Sequence, residues 1–329
     1  MDTATHLVMG FGLAGLAYVD PAVAADSTLA AAVMTGTVAG SQAPDFDALL
    51  RLKSNALYIR NHRGISHSIP FLLIWPALIT LIIHFLFPHV LILHVFLWTL
   101  LAVAIHIFID LFNTYGTQAA RPFSEKWISW NIIHIFDPFI FTTHVIAIGL
   151  WFFHIVPPAP LFICLYIILA MYYAWRTIVH FQKTKEVKEK DTHYMEGDRY
   201  FLIPTVSLRY WHVVKRRSDG SYDIGSYNKR GLKWKKHVVS SKHPAVELSK
   251  RHKDIQSFLY FTSFAVAEVE QVERGTMISW ADVRYWHRKQ FPFVAVLILD
   301  KNNKPIDTYV GWLSEKRMEK KLHLGQTDA

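Results

Sequence analysis

Residues 90–112 read VLILHVFLWTLLAVAIHIFIDLF, and two features of this stretch decide how the rest of the chain is read. It is apolar around the whole helical period, over a length sufficient to cross a ~30 Å hydrocarbon core. It also ends in His106 and Asp110, a spacing that stacks both side chains on one helix face. Ionisable groups inside an apolar span are costly and point first to a functional site.

Three further apolar runs accompany it, at 69–87, 138–156 and 160–181. Pro70, Pro88, Pro138 and the Pro157-Pro158-Ala159-Pro160 cluster punctuate their ends, where proline is best tolerated. Two shorter stretches, 6–19 and 28–40, carry Gly10, Gly12, Gly15, Gly36 and Gly40. At 1.5 Å per residue each reaches only ~20 Å, which predicts a half-inserted or packed helical hairpin. The expected fold is a mainly α polytopic membrane domain over 1–181, with about four transmembrane helices plus the hairpin. A charged linker follows over 182–199, and then a smaller β-rich α+β soluble domain over 200–329. No secretory leader is expected, because Asp2 precedes the first apolar run and no basic segment opens the chain.

Composition supports this division. Hydrophobic residues make up 52% of the 329 and aromatics 14%, which excludes a disordered chain. Cys164 is the single cysteine, so a disulfide framework and a thiolate zinc site are both excluded. Any metal here must use histidine and carboxylate. The net charge of +9 resolves into −1 over 1–181 and +10 over 182–329. The turns after the first and third spans carry no Lys or Arg, whereas Arg51, Lys53, Arg60, Arg63, Arg121, Lys126 and Arg176 all fall on the other side. Positive-inside bias predicts a multi-pass protein of the cell membrane with both termini and the basic domain in the cytoplasm.

The unusual polar residues gather on that cytoplasmic edge. His6 opens the first short helix, and Asp45 and Asp47 follow the second. His62 and His67 straddle Gly64 just before the first span, and His106 and Asp110 close the second. Each has a bland reading alone: a polar helix end, a turn, a His–Asp hydrogen bond. Jointly, His6, Asp45, His62, His67, His106 and Asp110 predict a site for a divalent metal, zinc by preference with manganese or iron(II) as alternatives. Gly64 allows the turn that faces both rings inward. A metal-bound water of near-neutral pKa is the expected nucleophile. Arg63 and Asp47 are the candidate catalytic residues, Arg63 by binding an anionic, phosphate-bearing substrate. His84, His89, His94 and His154 fall near the outer ends of the spans and read as interfacial or packing residues. His134 and Asp137 are on the correct side, where Asp137-Pro138 also suits a helix cap.

The sequence resembles the YdjM-like family of inner-membrane-associated, metal-dependent hydrolases. The elements that carry the likeness are Thr5-His6-x3-Gly10, Gly40-x3-Pro44-Asp45-x-Asp47, His62-Arg63-Gly64-x-Ser66-His67-Ser68, His106-x3-Asp110 and Pro122-Phe123-Ser124. They cover residues 1–181, and the C-terminal part resembles the tail of Bacillus-type members. The resemblance implies a polytopic hydrolase. A more distant similarity is to the zinc-dependent phospholipase C and P1 nuclease group, whose ligands follow the same His, Asp, His, His-x3-Asp order on a helical scaffold. That group also uses a free N-terminal residue and a later His-x3-Glu as ligands, and neither is matched here. One or two metals are therefore expected rather than three, with phosphoester chemistry implied.

Beyond Phe181 short strand-like runs are predicted at 201–216, 221–228, 233–239, 292–300 and 305–312, with a helix over 245–260. Basic residues alternate with aromatics at Tyr210, Trp211, Lys215, Arg216, Trp234, Lys235 and Lys236. That pattern suits nucleic acid, or a basic domain lying over anionic lipid; the lipid reading is preferred. Membrane lipids and an anionic substrate are thus the expected partners. The leading function is a membrane-bound hydrolase of a phosphoester or lipid-linked substrate. The rivals are a transporter, and a non-catalytic regulatory scaffold whose basic domain binds a partner.

Overall fold

The computed structural model describes residues 1–287 and 289–312. The described residues separate into two units, one formed by 1–47, 62–183 and 204–208, the other by 48–61, 184–203 and 209–312.

In the first unit, aspartates open the helices. Asp2 accepts from the Ala4 and Thr5 amides at the start of α1 (Thr3–Leu16). After the short α2 (Pro21–Ala25), Asp26 does the same for α3 (Ser27–Gln42). A 3-10 stretch, Ala43–Leu52, leads on, and α4 (Asn55–Asn61) belongs to the second unit. Then come α5 (Phe71–Leu86), α6 (Ile92–Asp110), α7 (Pro138–Phe152) and α8 (Pro158–Lys190). Asp137 caps α7 with Pro138 as its first residue, the arrangement that lets proline start a helix.

The two small-residue helices form a packed pair. α3 lies against α1 and α6, and the glycines make this possible. A Cβ on Gly36 would overlap Thr99 Oγ1 of α6, and one on Gly40 would sit 3.0 Å from the Thr99 carbonyl oxygen. The Gly-x3-Gly spacing therefore permits close helix contact. It also delivers the end of α3 to the end of α6.

Two described helices, α6 and α8, are long and apolar enough to cross a membrane. α5 qualifies only together with the helical segment before it, and α1 and α7 are shorter apolar helices. The expectation of four full spans is thus met by two, or three with the broken pair. α5 has 16 residues and α7 has 15, about 22–24 Å each, short of the hydrocarbon thickness. The apolar runs were longer than the helices because they continue through the Phe87–Leu91 and Phe153–Pro157 connections, where His89 and His154 take positive φ.

The second unit holds two antiparallel four-stranded sheets. One contains β1 (Arg199–Pro204), β2 (Trp211–Arg216), β3 (Tyr222–Asn228) and β4 (Gly231–Val238) in that order. After α9 (Pro244–Ser249) and α10 (Lys253–Phe261), the other contains β5 (Ala265–Val272), β6 (Gly275–Asp282), β7 (Phe293–Leu299) and β8 (Pro305–Trp312). Val214, Ile224 and Val238 of the first sheet share a core with Val266, Val296 and Ile298 of the second. The opposite face of β7 meets α10 through Phe293 and Phe258, ring centroids 5.0 Å apart. β7 is buried at every position, as its unbroken apolar sequence implies. Three expectations need correction. The run 201–216 is two strands with a turn between them, the 245–260 helix is broken where His252 caps α10, and β5 and β6 were not foreseen.

Lys215, fully buried on β2, organises the first sheet. Its ammonium donates to Asp191 at 2.7 Å and to the His193 carbonyl at 3.1 Å, and lies 3.5 Å from Asp223 and 3.6 Å from Asp198. Burial alone would raise the Asp191 carboxyl. The hydrogen bonds from Lys215 and then Tyr200 outweigh it, holding the group at about 2. Its contribution to stability is therefore complete above about pH 4 and disappears as pH falls through the folded value.

Two outcomes follow from this packing. Lys215→Met leaves buried carboxylates without their cation, at a cost of about 3–5 kcal/mol. Amide exchange protection in β2 and β3 of the full-length protein should fall by ~10²–10⁴-fold, and unchanged protection would refute the role. Gly36→Val should push α3 off α6 and lower the melting temperature of the solubilised protein. An unaltered melting temperature would show that the close approach is dispensable.

Candidate metal centre

The end of α6 supplies His106 and Asp110, both fully buried. The 3-10 stretch after α3 brings Asp45, and the 3-10 turn Ile65–His67 brings His67. His106 Nε2 lies 3.3 Å from His67 Nε2, 3.8 Å from Asp45 Oδ1 and 3.6 Å from Asp110 Oδ2. His67 Nε2 lies 3.6 Å from Asp45 Oδ1 and 3.5 Å from Asp110 Oδ2. Four donors thus converge, with these five separations spanning 3.3–3.8 Å. A tetrahedron with bonds of about 2.0–2.1 Å has edges of about 3.3–3.4 Å, so the set is close to zinc dimensions.

The ring tautomers are set by neighbours. His106 Nδ1 donates to the Ser41 carbonyl at 2.7 Å, and His67 Nδ1 meets Ser66 Oγ at 3.0 Å. Each contact leaves the Nε2 lone pair facing the centre, the usual outer-shell arrangement of metal-binding histidine. Ser66 in turn donates to Asp47 Oδ2 at 2.7 Å. Asp45 Oδ1 and Asp110 Oδ2 are buried without a hydrogen-bond partner, Asp110 Oδ2 having the Arg63 charge 3.2 Å away, and such an oxygen is costly unless a cation or donor meets it. Burial pushes the Asp45 carboxyl up, but the positive surroundings, His106 first and then Arg63, outweigh it and hold it below its usual range. The donor chemistry and the orphaned oxygens both fit a divalent metal.

Asp45 also belongs to a second group with Asp47 and His62, again within ligand reach of one another and less buried. His62 Nδ1 lies 2.7 Å from Asp47 Oδ1, and the Arg63 amide donates to Asp47 Oδ2 at 3.0 Å. Asp47 therefore holds His62, Arg63 and Ser66 together.

His6 falls outside both groups. Its ring stacks on His106 at 3.7 Å, and its Nε2 is 3.4 Å from Asp110 Oδ1. The same oxygen contacts the α-amine of Met1, which is 2.9 Å from His6 Nε2. Arg63 is 2% exposed. Its guanidinium donates to Asn113 Oδ1 at 3.1 Å and to the Met1 carbonyl at 2.9 Å, and its Nε approaches Asp110 Oδ2 at 3.2 Å. The left-handed turn falls on Arg63, at φ 61°, rather than on Gly64, at φ −89°. A non-glycine residue held there stores strain, as functional segments often do. His134 bonds its own loop at Phe136, and Asp137 caps α7 and accepts from Tyr172.

Sequence reading missed four participants. Ser66 and Asn113 had visible cues, one inside the His-Arg-Gly-x-Ser-His element and the other three residues beyond Asp110. The Ser41 carbonyl and the Met1 amine had none, since main-chain groups leave no side-chain signature.

Residues 1–182 match the YdjM inner membrane protein family, and residues 244–322 match the YfhP C-terminal alpha/beta plait domain. Over 335 aligned residues the chain is 40% identical to the uncharacterized protein YfhP of Bacillus subtilis (strain 168), covering 99% of each. No solved structure matches. With more than half of its length matched, the chain belongs to the YdjM inner membrane protein family.

Proposed function

We propose that the protein is a membrane-bound, metal-dependent hydrolase of phosphoesters, with its centre at the cytoplasmic membrane edge. The observation that carries this reading is the convergence of Asp45, His67, His106 and Asp110, with a second group sharing Asp45. His67, His106 and Asp110 would hold one metal in the buried group, and His62 and Asp47 would hold another in the less buried one. Such ions supply Lewis acidity and an activated water at neutral pH. Asp47 fixes His62 and, through Ser66, His67. Arg63 holds Asp110 and Asn113 in place, which makes it a positioning residue rather than a substrate contact. The less buried group is the side from which substrate and water would arrive.

Elemental analysis of the purified protein should find bound divalent metal. His106→Ala and Asp110→Ala should each lose it while still inserting into the membrane; an unchanged metal-to-protein ratio in both would sink the centre. Ser66→Ala should weaken metal retention ~10–100-fold. Orientation has its own test. In a Cys164→Ala background, cysteines at the exposed positions Lys126 and Lys185 should resist an impermeant thiol reagent in intact cells, whereas one at His89 should react. The reverse pattern would move the centre to the outer face.

A further inference from the structure

Two residues interleaved with the candidate ligands are large, apolar and exposed. Phe46, between Asp45 and Asp47, is 59% exposed, and Ile65, between His62 and His67, is 55% exposed. Ile69 follows at 44%. Its amide donates to the Arg121 carbonyl at 3.2 Å, which brings alongside the loop that carries Phe123, 85% exposed. Leaving apolar area in water is unfavourable in proportion to that area, and contiguous patches of this kind mark binding or membrane surfaces.

The rim is tied to the exposed apolar face of α5. The Phe46 ring lies 6.3 Å from that of Trp75 on α5, and Phe71 is 5.5 Å from the same ring. Trp75 Nε1 donates to the Ser66 carbonyl at 3.0 Å, anchoring the ligand-bearing turn to α5. Along α5 the exposed residues continue through Leu73, Ile74, Leu78, Leu81, Ile82 and Phe85. One apolar surface therefore runs from the helix to the mouth of the centre. Meanwhile the Arg63 guanidinium is turned to Asp110, Asn113 and Met1. Apolar contact is what the mouth offers to the rest of a substrate.

We propose that the substrate is itself a lipid with the phosphoester in its headgroup, reaching the ligands laterally along α5 while its first acyl carbons pack on Phe46, Ile65 and Phe123. This deepens the hydrolase reading and rests on it. The test uses the full-length, zinc-loaded protein in phosphatidylglycerol nanodiscs. A photo-crosslinker introduced as Ile65→p-benzoylphenylalanine should form adducts with acyl-chain carbons near the ester, with or without metal. Turnover of the nanodisc phospholipid should exceed that of bis(p-nitrophenyl) phosphate at equal concentration. The combined Phe46→Ser, Ile65→Ser and Phe123→Ser variant, with metal content at the wild-type level, should lower the lipid-to-soluble turnover ratio on the order of 10-fold. Hydrolysis of the soluble ester without acyl adducts or lipid preference would overturn this proposal alone. No turnover of either ester would overturn the hydrolase reading and this proposal together.

Discussion

A carboxylate buried at the end of an apolar helix has to be neutralised, and Asp110 imposes that requirement on the whole first unit. Removing such a group from water costs several kcal/mol unless partners replace the lost solvation. The chain brings them from three directions: the Met1 ammonium from the residues before α1, Arg63 from the turn before α5, and Asn113 from the loop beyond α6. Helix packing follows the same demand. The glycines of α3 let it approach Thr99, and that approach sets the Ser41 carbonyl against His106.

How much of this was legible depended on the kind of group involved. The His106–Asp110 pair and the His-Arg-Gly-x-Ser-His element announce themselves because costly side chains stand in apolar or turn-forming surroundings. Membership of His6 was legible, but its role was not: it stacks on His106 instead of joining the four-donor set. Span count failed for a geometric reason, since an apolar composition continues through a helix break as readily as through a helix. In the second unit, β5 alternates as a strand should, but Glu268 and Glu270 at its exposed positions make it read as a polar connection. The break between α9 and α10 falls at Lys250-Arg251-His252, where neither glycine nor proline marks it.

The two units contain contrasting solutions for buried charge. On β2 a lysine ammonium is the shared cation, within 3.6 Å of three carboxylates. That cation is part of the chain and donates directly to Asp191, although Asp198 Oδ1 is left without a hydrogen-bond partner. Between His67, His106, Asp45 and Asp110, by contrast, lone pairs face lone pairs and two carboxylate oxygens lack a hydrogen-bond partner. Arg63 and Met1 offset the charge of Asp110 from outside the set. A stabilising network places donors opposite acceptors, whereas a ligand site assembles acceptors around a shared point.

Placement along α6 favours a localised centre over a conduction path along this helix. His94, near the far end, is engaged with Asp20 at 2.5 Å. From His94 to His106 is about 18 Å of helix, and the residues between them carry no ionisable side chain. Thr99, the polar exception, returns its hydroxyl to the Val95 carbonyl at 2.7 Å and packs against the glycines of α3. An ion or proton crossing the span would need polar groups spaced through that interval. α6 instead keeps its ionisable residues to its two ends and packs its middle against α3 through Thr99, which leaves no polar route along this helix from the His94 end to the His106 end.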